Sequence, residues 1–262
     1  MRTLKLTLAY DGTDYAGWQI QNRRGQKAED RRQKRQKPTI QGTLESALRQ
    51  LLQEPVRVVG SGRTDAGVHA LAQVAHVRIR AAIPCERLRR ALNSVLPRDI
   101  VVTDVVETPV GFHARFDAVA KRYRYRIVNG PVVLPFVRRS VHQVRVPLNL
   151  ALMRREASVL LGRHDFRAFH NSGRPLADAR RTISKIQIHR HDPELTIEIE
   201  ANGFLYGMVR SIVGTLIDIG RGYRPAGTMA RILKTRDRRL VGPTAPAKGL
   251  CLVCVQYDTN DH

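Results

Sequence analysis

Val56-Arg57-Val58-Val59-Gly60-Ser61-Gly62-Arg63-Thr64-Asp65-Ala66-Gly67-Val68-His69-Ala70-Leu71 is an apolar run, a glycine-rich loop around one aspartate, and the start of a second mostly apolar stretch that continues to Ile79. Two short hydrophobic runs flanking a glycine cluster predict two strands joined by an ordered loop. The glycines allow tight or left-handed turns that hold one side chain in an unusual direction above the end of a sheet. That side chain is the Asp65 carboxylate, with Arg63 two residues before it as a counter-charge. A fixed carboxylate is either a nucleophile or a salt-bridge partner that rigidifies a turn. Composition alone favours the second, since Asp and Gly are ordinary turn residues.

The flanking segments give the loop its setting. Residues 1–10 alternate as a strand, so no cleavable signal or transit segment is expected. Residues 39–53 carry Ile40, Leu44, Ala47, Leu48, Leu51 and Leu52 at helical spacing, and residues 84–96 repeat the pattern with Leu88, Ala91, Leu92 and Val95 behind Pro84. Residues 101–106 read as a strand. A first lobe, residues 1–108, is thus strand, helix, strand, loop, strand, helix, strand. A second lobe, residues 109–262, repeats the theme. It has a strand at 122–128, a helix at 148–161 with Gly162 as its C-cap, and strands at 183–189 and 195–200 joined as a hairpin at His191-Asp192-Pro193. An apolar helix at 207–219, a short helix at 229–234 and a last strand at 250–257 follow. The predicted fold class is α+β, with two lobes of similar plan.

Composition narrows the function. With 262 residues and 42% hydrophobic content the chain can bury a substantial core, and no run of about 18 apolar residues offers a membrane span. Lys and Arg total 45 against 23 Asp and Glu, a formal charge of +22. Such a field recruits a polyanion, and nucleic acid fits better than a membrane surface because no amphipathic anchor stands out. Residues 22–38 alone net +6, leaving +16 on the rest. That segment lacks apolar periodicity and reads as a mobile basic insertion, either an extra phosphate-gripping arm or a tolerated solvated loop. Aromatic residues are only 5% of the chain, which argues against a multi-base stacking platform. Cys85, Cys251 and Cys254 form no disulfide framework and fit a reducing cytoplasm. The lone C-x-x-C at Cys251 and Cys254 lies in an apolar run and reads as core packing. His69, His76 and His113 lack metal-ligand spacing, so no metal is assigned.

Arg210 is hard to explain structurally. Its helix is apolar almost all round, through Met208, Val209, Ile212, Val213, Leu216, Ile217 and Ile219, so it should be buried. A buried arginine needs a counter-charge, and its neighbours three and four residues on are Val213 and Gly214. Asp65 is the natural candidate, with a substrate phosphate or snorkelling at a helix end as the alternatives. Tyr123 and Tyr125 share one face of their strand, with Arg122, Arg124 and Arg126 on the other. Tyr125 reads as core, and the arginine face as a phosphate grip in preference to an ordinary solvated face.

Gly62 to His69 resembles the active-site signature of the tRNA pseudouridine synthases of the TruA family. Ala9-Tyr10-Asp11-Gly12-Thr13 with Gly17-Trp18-Gln19 resembles that family's opening strand and loop. Phe112-His113-Ala114-Arg115-Phe116 with Lys121-Arg122-Tyr123-Arg124-Tyr125 resembles its middle motif, the segment from Phe204 to Gly214 its C-terminal helix, and Thr244 to Leu250 its closing loop. Five motifs in family order over nearly the whole chain are far more specific than any one of them.

The resemblance implies two lobes sharing a mostly antiparallel sheet, with an active-site cleft between them. It implies conversion of uridine to pseudouridine at positions 38, 39 and 40 in the anticodon stem-loop of tRNA. Asp65 is then the catalytic nucleophile, supported by Arg63 and Arg210. Tyr123 stacks on the target uracil and relays protons, Leu250 lines the uracil pocket, and His113 and Arg115 contact RNA or brace the cleft. A homodimer acting in the cytoplasm is implied too. The isomerisation changes no oxidation state, so no cofactor is expected. Two other readings compete. A non-catalytic basic RNA-binding or ribosome-assembly protein explains the charge but not Asp65 or Arg210. A glycosidase-like hydrolase ordinarily needs two carboxylates, and the loop offers one.

Overall fold

The structure is a computed structural model, and it describes residues 1–20, 37–171 and 176–258. The basic insertion read at 22–38 therefore lies outside the described residues, apart from Lys37 and Pro38. The chain divides into two compact units, Met1–Asp117 and Ala118–His262.

The first unit contains strand β1 (Arg2–Tyr10), helix α1 (Ile40–Leu52), β2 (Val58–Gly60), β3 (His69–Ile79), α2 (Cys85–Val95) and β4 (Ile100–Thr108), the order expected from the sequence. β1 lies between β4 and β3, antiparallel to both, and β2 adds to β3. The alternation of β1 puts Leu4, Leu6 and Leu8 on one face, opposite Val77, Ala75 and Gln73 of β3, and all six are buried. Leu44 and Leu48 of α1 and Leu88 and Leu92 of α2 complete this core. Full burial of each such leucine contributes about 1.5–3 kcal/mol. The helical segment begins where Thr39 accepts a side-chain hydrogen bond from the Gly42 N–H, and it ends at Gln53 in the left-handed region, φ 52°.

The second unit contains β5 (Ala118–Asn129), β6 (His142–Val144), α3 (Leu150–Ser158), β7 (Gly162–Asp165), β8 (Arg180–His191), β9 (Glu194–Ala201), α4 (Met208–Gly220), α5 (Thr228–Thr235) and β10 (Leu250–Tyr257). Its sheet runs β10-β5-β9-β8-β7, antiparallel throughout, with β6 added in parallel to the end of β5. Tyr123 stands opposite Ile199 and Leu252, and Tyr125 opposite Ile197 and Leu250, so one face of the sheet is a continuous buried layer. α4 is buried at every position except Arg210.

The α+β class and the mostly antiparallel pairing are as expected, but three local readings are corrected. The helix expected over 148–161 is only Leu150–Ser158. Asn149 caps its start by accepting from the Leu152 N–H, and Gly162 opens β7 at φ 91° and does not cap the helix. Val159, Leu160 and Leu161 continue the helical spacing, yet only Leu160 is buried. β6 and β7 were not foreseen, because three or four residues carry no readable alternation. The cysteines of β10 are half-buried and are not core. Strand alternation sends Cys251 to the face that carries Arg124. No described helix is long and apolar enough to cross a membrane.

Candidate active site

The Asp65 loop is held from beneath by buried polar contacts. Ser61 is fully buried; its Oγ donates to Gln73 Oε1 at 2.7 Å, and Gln73 Nε2 returns a bond to the Gly62 carbonyl at 3.1 Å. The Trp18 N–H donates to the Thr64 carbonyl at 3.0 Å, and Tyr10 Oη and Thr64 Oγ1 share a buried hydrogen bond of 2.8 Å. The Val68 N–H closes a turn onto the Asp65 carbonyl at 3.1 Å, with Gly67 at φ 78° inside it. Gly17, at φ 92°, presses its backbone so close that an added Cβ would sit 2.6 Å from the Thr64 carbonyl oxygen. The backbone on both sides of Asp65 is thus fixed, while its side chain is half-buried and Arg63 is exposed. Sequence reasoning missed Gln73 and Tyr10 as supports, since nothing in their spacing points at the loop.

The middle motif is a self-bonded turn. His113 Nδ1 accepts from the backbone N–H groups of Arg115 and Phe116, and the His113 backbone N–H donates to Asp117 Oδ2 at 2.7 Å. Beneath it, buried His76 accepts the Ala114 N–H at Nδ1, 3.0 Å away. Burial, then the charges of His113 and Arg78, push the His76 imidazole down to about 4. His113 is thus bonded into this turn, and Arg115 is exposed with its guanidinium carbon 5.7 Å from the Phe116 ring centre.

Tyr123, Leu250 and Arg210 belong to the second unit. Tyr123 is buried, its ring edge-on to Phe204 with centres 5.1 Å apart. Leu250 is buried on the same sheet face. Arg210, half-buried, donates from Nε to the Ala245 carbonyl at 2.8 Å, while the Ala245 N–H donates to the Arg210 carbonyl at 3.1 Å. This reciprocal pair latches the segment before β10 onto α4. Tyr125 Oη adds a bond to the Pro246 carbonyl at 2.9 Å, and Asn171 Nδ2 one to Thr244 Oγ1 at 2.9 Å. Asn171 carries no sequence signal of this role.

The arginine face of β5, read as a phosphate grip, is paired with acids of its own sheet. Arg122 pairs with Glu200 at 2.7 Å, Arg124 with Glu198 at 2.7 Å and Arg126 with Glu194 at 2.9 Å. β5 and β9 place each arginine across from or beside a glutamate, so the charges form a cross-strand ladder.

Comparison with known proteins agrees with the motifs. The sequence profile described as tRNA pseudouridine synthase matches residues 8–117 and 157–258. A tRNA pseudouridine synthase A of Moorella thermoacetica is 45% identical, covering 98% of this chain and 100% of the relative. One of Limosilactobacillus reuteri is 43% identical, covering 100% of this chain and 99% of the relative. Among solved structures, a Cbf5-Nop10-Gar1 complex is similar over 82% of this chain and 44% of the matched chain, at 10% identity and a TM-score of 0.36.

Proposed function

The chain belongs to the tRNA pseudouridine synthase family, whose reaction turns uridine into pseudouridine in tRNA, and we propose that Asp65 is the nucleophile that carries this reaction. In this isomerisation the C1′–N1 bond of the nucleotide breaks, the uracil turns, and C5 bonds to C1′. The hydrogen on C5 leaves as a proton and N1 gains one, so atoms and electrons balance without an external oxidant, reductant or group donor. The enzyme must first draw the nucleotide out of its stack, at a cost of a few kcal/mol.

The observation that carries the assignment is the fixed backbone around Asp65: Thr64 is tied to Trp18 and Tyr10, and the turn to Val68 closes behind. A carboxylate so oriented attacks without a search through rotamers of the loop. In this reading Arg63 and Arg210 are its cationic support. Tyr123 stacks on the uracil and relays protons, Leu250 lines the uracil pocket, and His113 and Arg115 stand on the RNA-binding surface. The substrate positions are 38, 39 and 40 of the anticodon stem-loop, bound by a cytoplasmic homodimer.

The test is tritium release from tRNA labelled at uracil C5, with wild type beside Asp65→Asn. Wild type releases tritium; the variant binds tRNA and releases none. Release by Asp65→Asn at the wild-type rate would remove Asp65 from the chemistry.

A further inference from the structure

The sheet of the second unit ends at β7, and beside that edge is a recess of about 490 Å³ lined by Arg163, His164, Asp165, Arg180, Leu233 and Arg236. Arg163 and Asp165 lie two residues apart on β7 and so share a face, and Arg180 of β8 stands directly opposite Asp165. Asp165 is mostly buried and already committed. Arg167 reaches it at 2.8 Å and Arg236 at 3.6 Å. Burial alone would raise the Asp165 pKa, but hydrogen bonds from Arg167 and the charges of Arg167 and Arg236 outweigh it and hold the carboxyl below its ordinary value. One ionised carboxylate thus faces four arginines. The guanidinium groups of Arg163 and Arg180 have no acid partner among the described residues, and both residues are exposed. Asp178 does not supply one, since its Oδ1 is bonded to the Arg180 backbone N–H. His164 Nε2 donates to the Leu161 carbonyl oxygen, 2.7 Å away.

Arg236 adds a separate sign. It ends α5 at φ 56°, ψ 21°, in the left-handed region. Glycine or asparagine is the ordinary choice there, and another side chain costs about 1–2 kcal/mol. An arginine kept in that position puts its charge at the recess at the expense of backbone comfort.

From these observations we infer that the β7 edge recess is a docking site for tRNA backbone phosphates, with Arg163 and Arg180 as the contacting residues and Arg236, held by Asp165, as a further positive charge in the recess. The inference rests on tRNA being the substrate. Guanidinium forks suit phosphate oxygens, and an open recess at a sheet edge accepts a continuous strand. The site supplies affinity and register and takes no part in the chemistry. Charged side chains on an edge strand also deter strand pairing, and that is the role left to these arginines if the site fails its test.

The test is tRNA binding by the full-length Arg163→Gln/Arg180→Gln variant across a salt series, with thermal unfolding and saturating tritium release alongside. Loss of two phosphate contacts lowers the slope of log affinity against log salt by about 1.4–1.8 and weakens binding about tenfold. The unfolding temperature and the saturated rate stay at wild-type values. Arg163→Lys/Arg180→Lys restores the slope, because charge is kept. Unchanged affinity and slope in the Gln pair overturn the site, as does a loss that the Lys pair does not recover. Absence of tritium release from wild type would strike the functional reading and not this one.

Discussion

Gly17→Ala tests whether the backbone beneath Asp65 positions it. Residue 17 lies at φ 92°, where an L side chain costs about 1–2 kcal/mol. The new methyl would stand 2.6 Å from the Thr64 carbonyl oxygen, 3.0 Å from the Asp65 carbonyl carbon and 3.1 Å from the Ala66 nitrogen. All three are backbone atoms, so no side chain can swing aside. Reaching an ordinary contact of 3.4 Å requires a displacement of about 0.8 Å in the loop. Overpacking of this kind costs about 1–3 kcal/mol, so the total is about 2–5 kcal/mol. In a chain of this size that lowers the unfolding temperature by about 4–20 °C. A shift approaching 1 Å at a reacting group costs up to about a hundredfold in rate. Single-turnover tritium release, measured well below the variant's unfolding temperature, should therefore fall about ten- to a hundredfold. Gly111→Ala is the control, since a Cβ there meets nothing within 4 Å. A Gly17→Ala protein with wild-type unfolding and wild-type rate would refute the close packing. One that unfolds early but keeps its rate would refute the link from residue 17 to Asp65.

Two further outcomes separate structural from substrate roles. Arg124→Gln breaks a pair whose arginine side chain is 41% exposed. It should cost under about 1 kcal/mol and leave the salt dependence of tRNA binding unchanged; a slope reduced by about 0.7–0.9 would make Arg124 a phosphate contact after all. His76 gives a pH signature. Its unfolded imidazole takes up a proton near pH 6.5, whereas the folded one stays neutral until about pH 4. Stability is therefore lost as pH falls through that window, by on the order of 3 kcal/mol at about 1.4 kcal/mol per unit. Unfolding followed from pH 7.5 to 4 should show a shallower acid slope for His76→Gln than for wild type, and identical slopes would contradict the buried neutral state.

Period and punctuation made most of the fold legible. The leucines of α1 and α2 and the alternation of β1, β8 and β9 each bury one face, and burial is what the pattern encodes. The Asp65 loop was legible for a different reason: glycines between apolar runs mark where the backbone must turn. What failed has physical causes. The run Val159-Leu160-Leu161 continues the helical spacing of α3 although the helix has ended, because composition does not distinguish a last turn from the turn that follows. Cys251 and Cys254 sat in a run that read as wholly buried, but neighbouring strand residues alternate faces whatever their hydrophobicity. Gln73, Tyr10 and Asn171 act through partners 12, 54 and 73 residues away, and no local pattern records such partners.

The charge reading needs the structure most. A formal +22 counts every arginine alike, yet a phosphate can draw only on those whose charge is not already spent. Arg122, Arg124 and Arg126 spend theirs on β9 glutamates, and Arg221 and Arg224 both close on the buried Asp218 at 2.6 Å and 3.2 Å. These pairs order the second unit and add little to its grip on a polyanion, because each brings a carboxylate as close as any phosphate would come. The charge still available to a phosphate sits on exposed arginines without an acid partner among the described residues. Arg163 and Arg180 meet that condition while sharing a face with a committed carboxylate, and the sequence alone singled out neither.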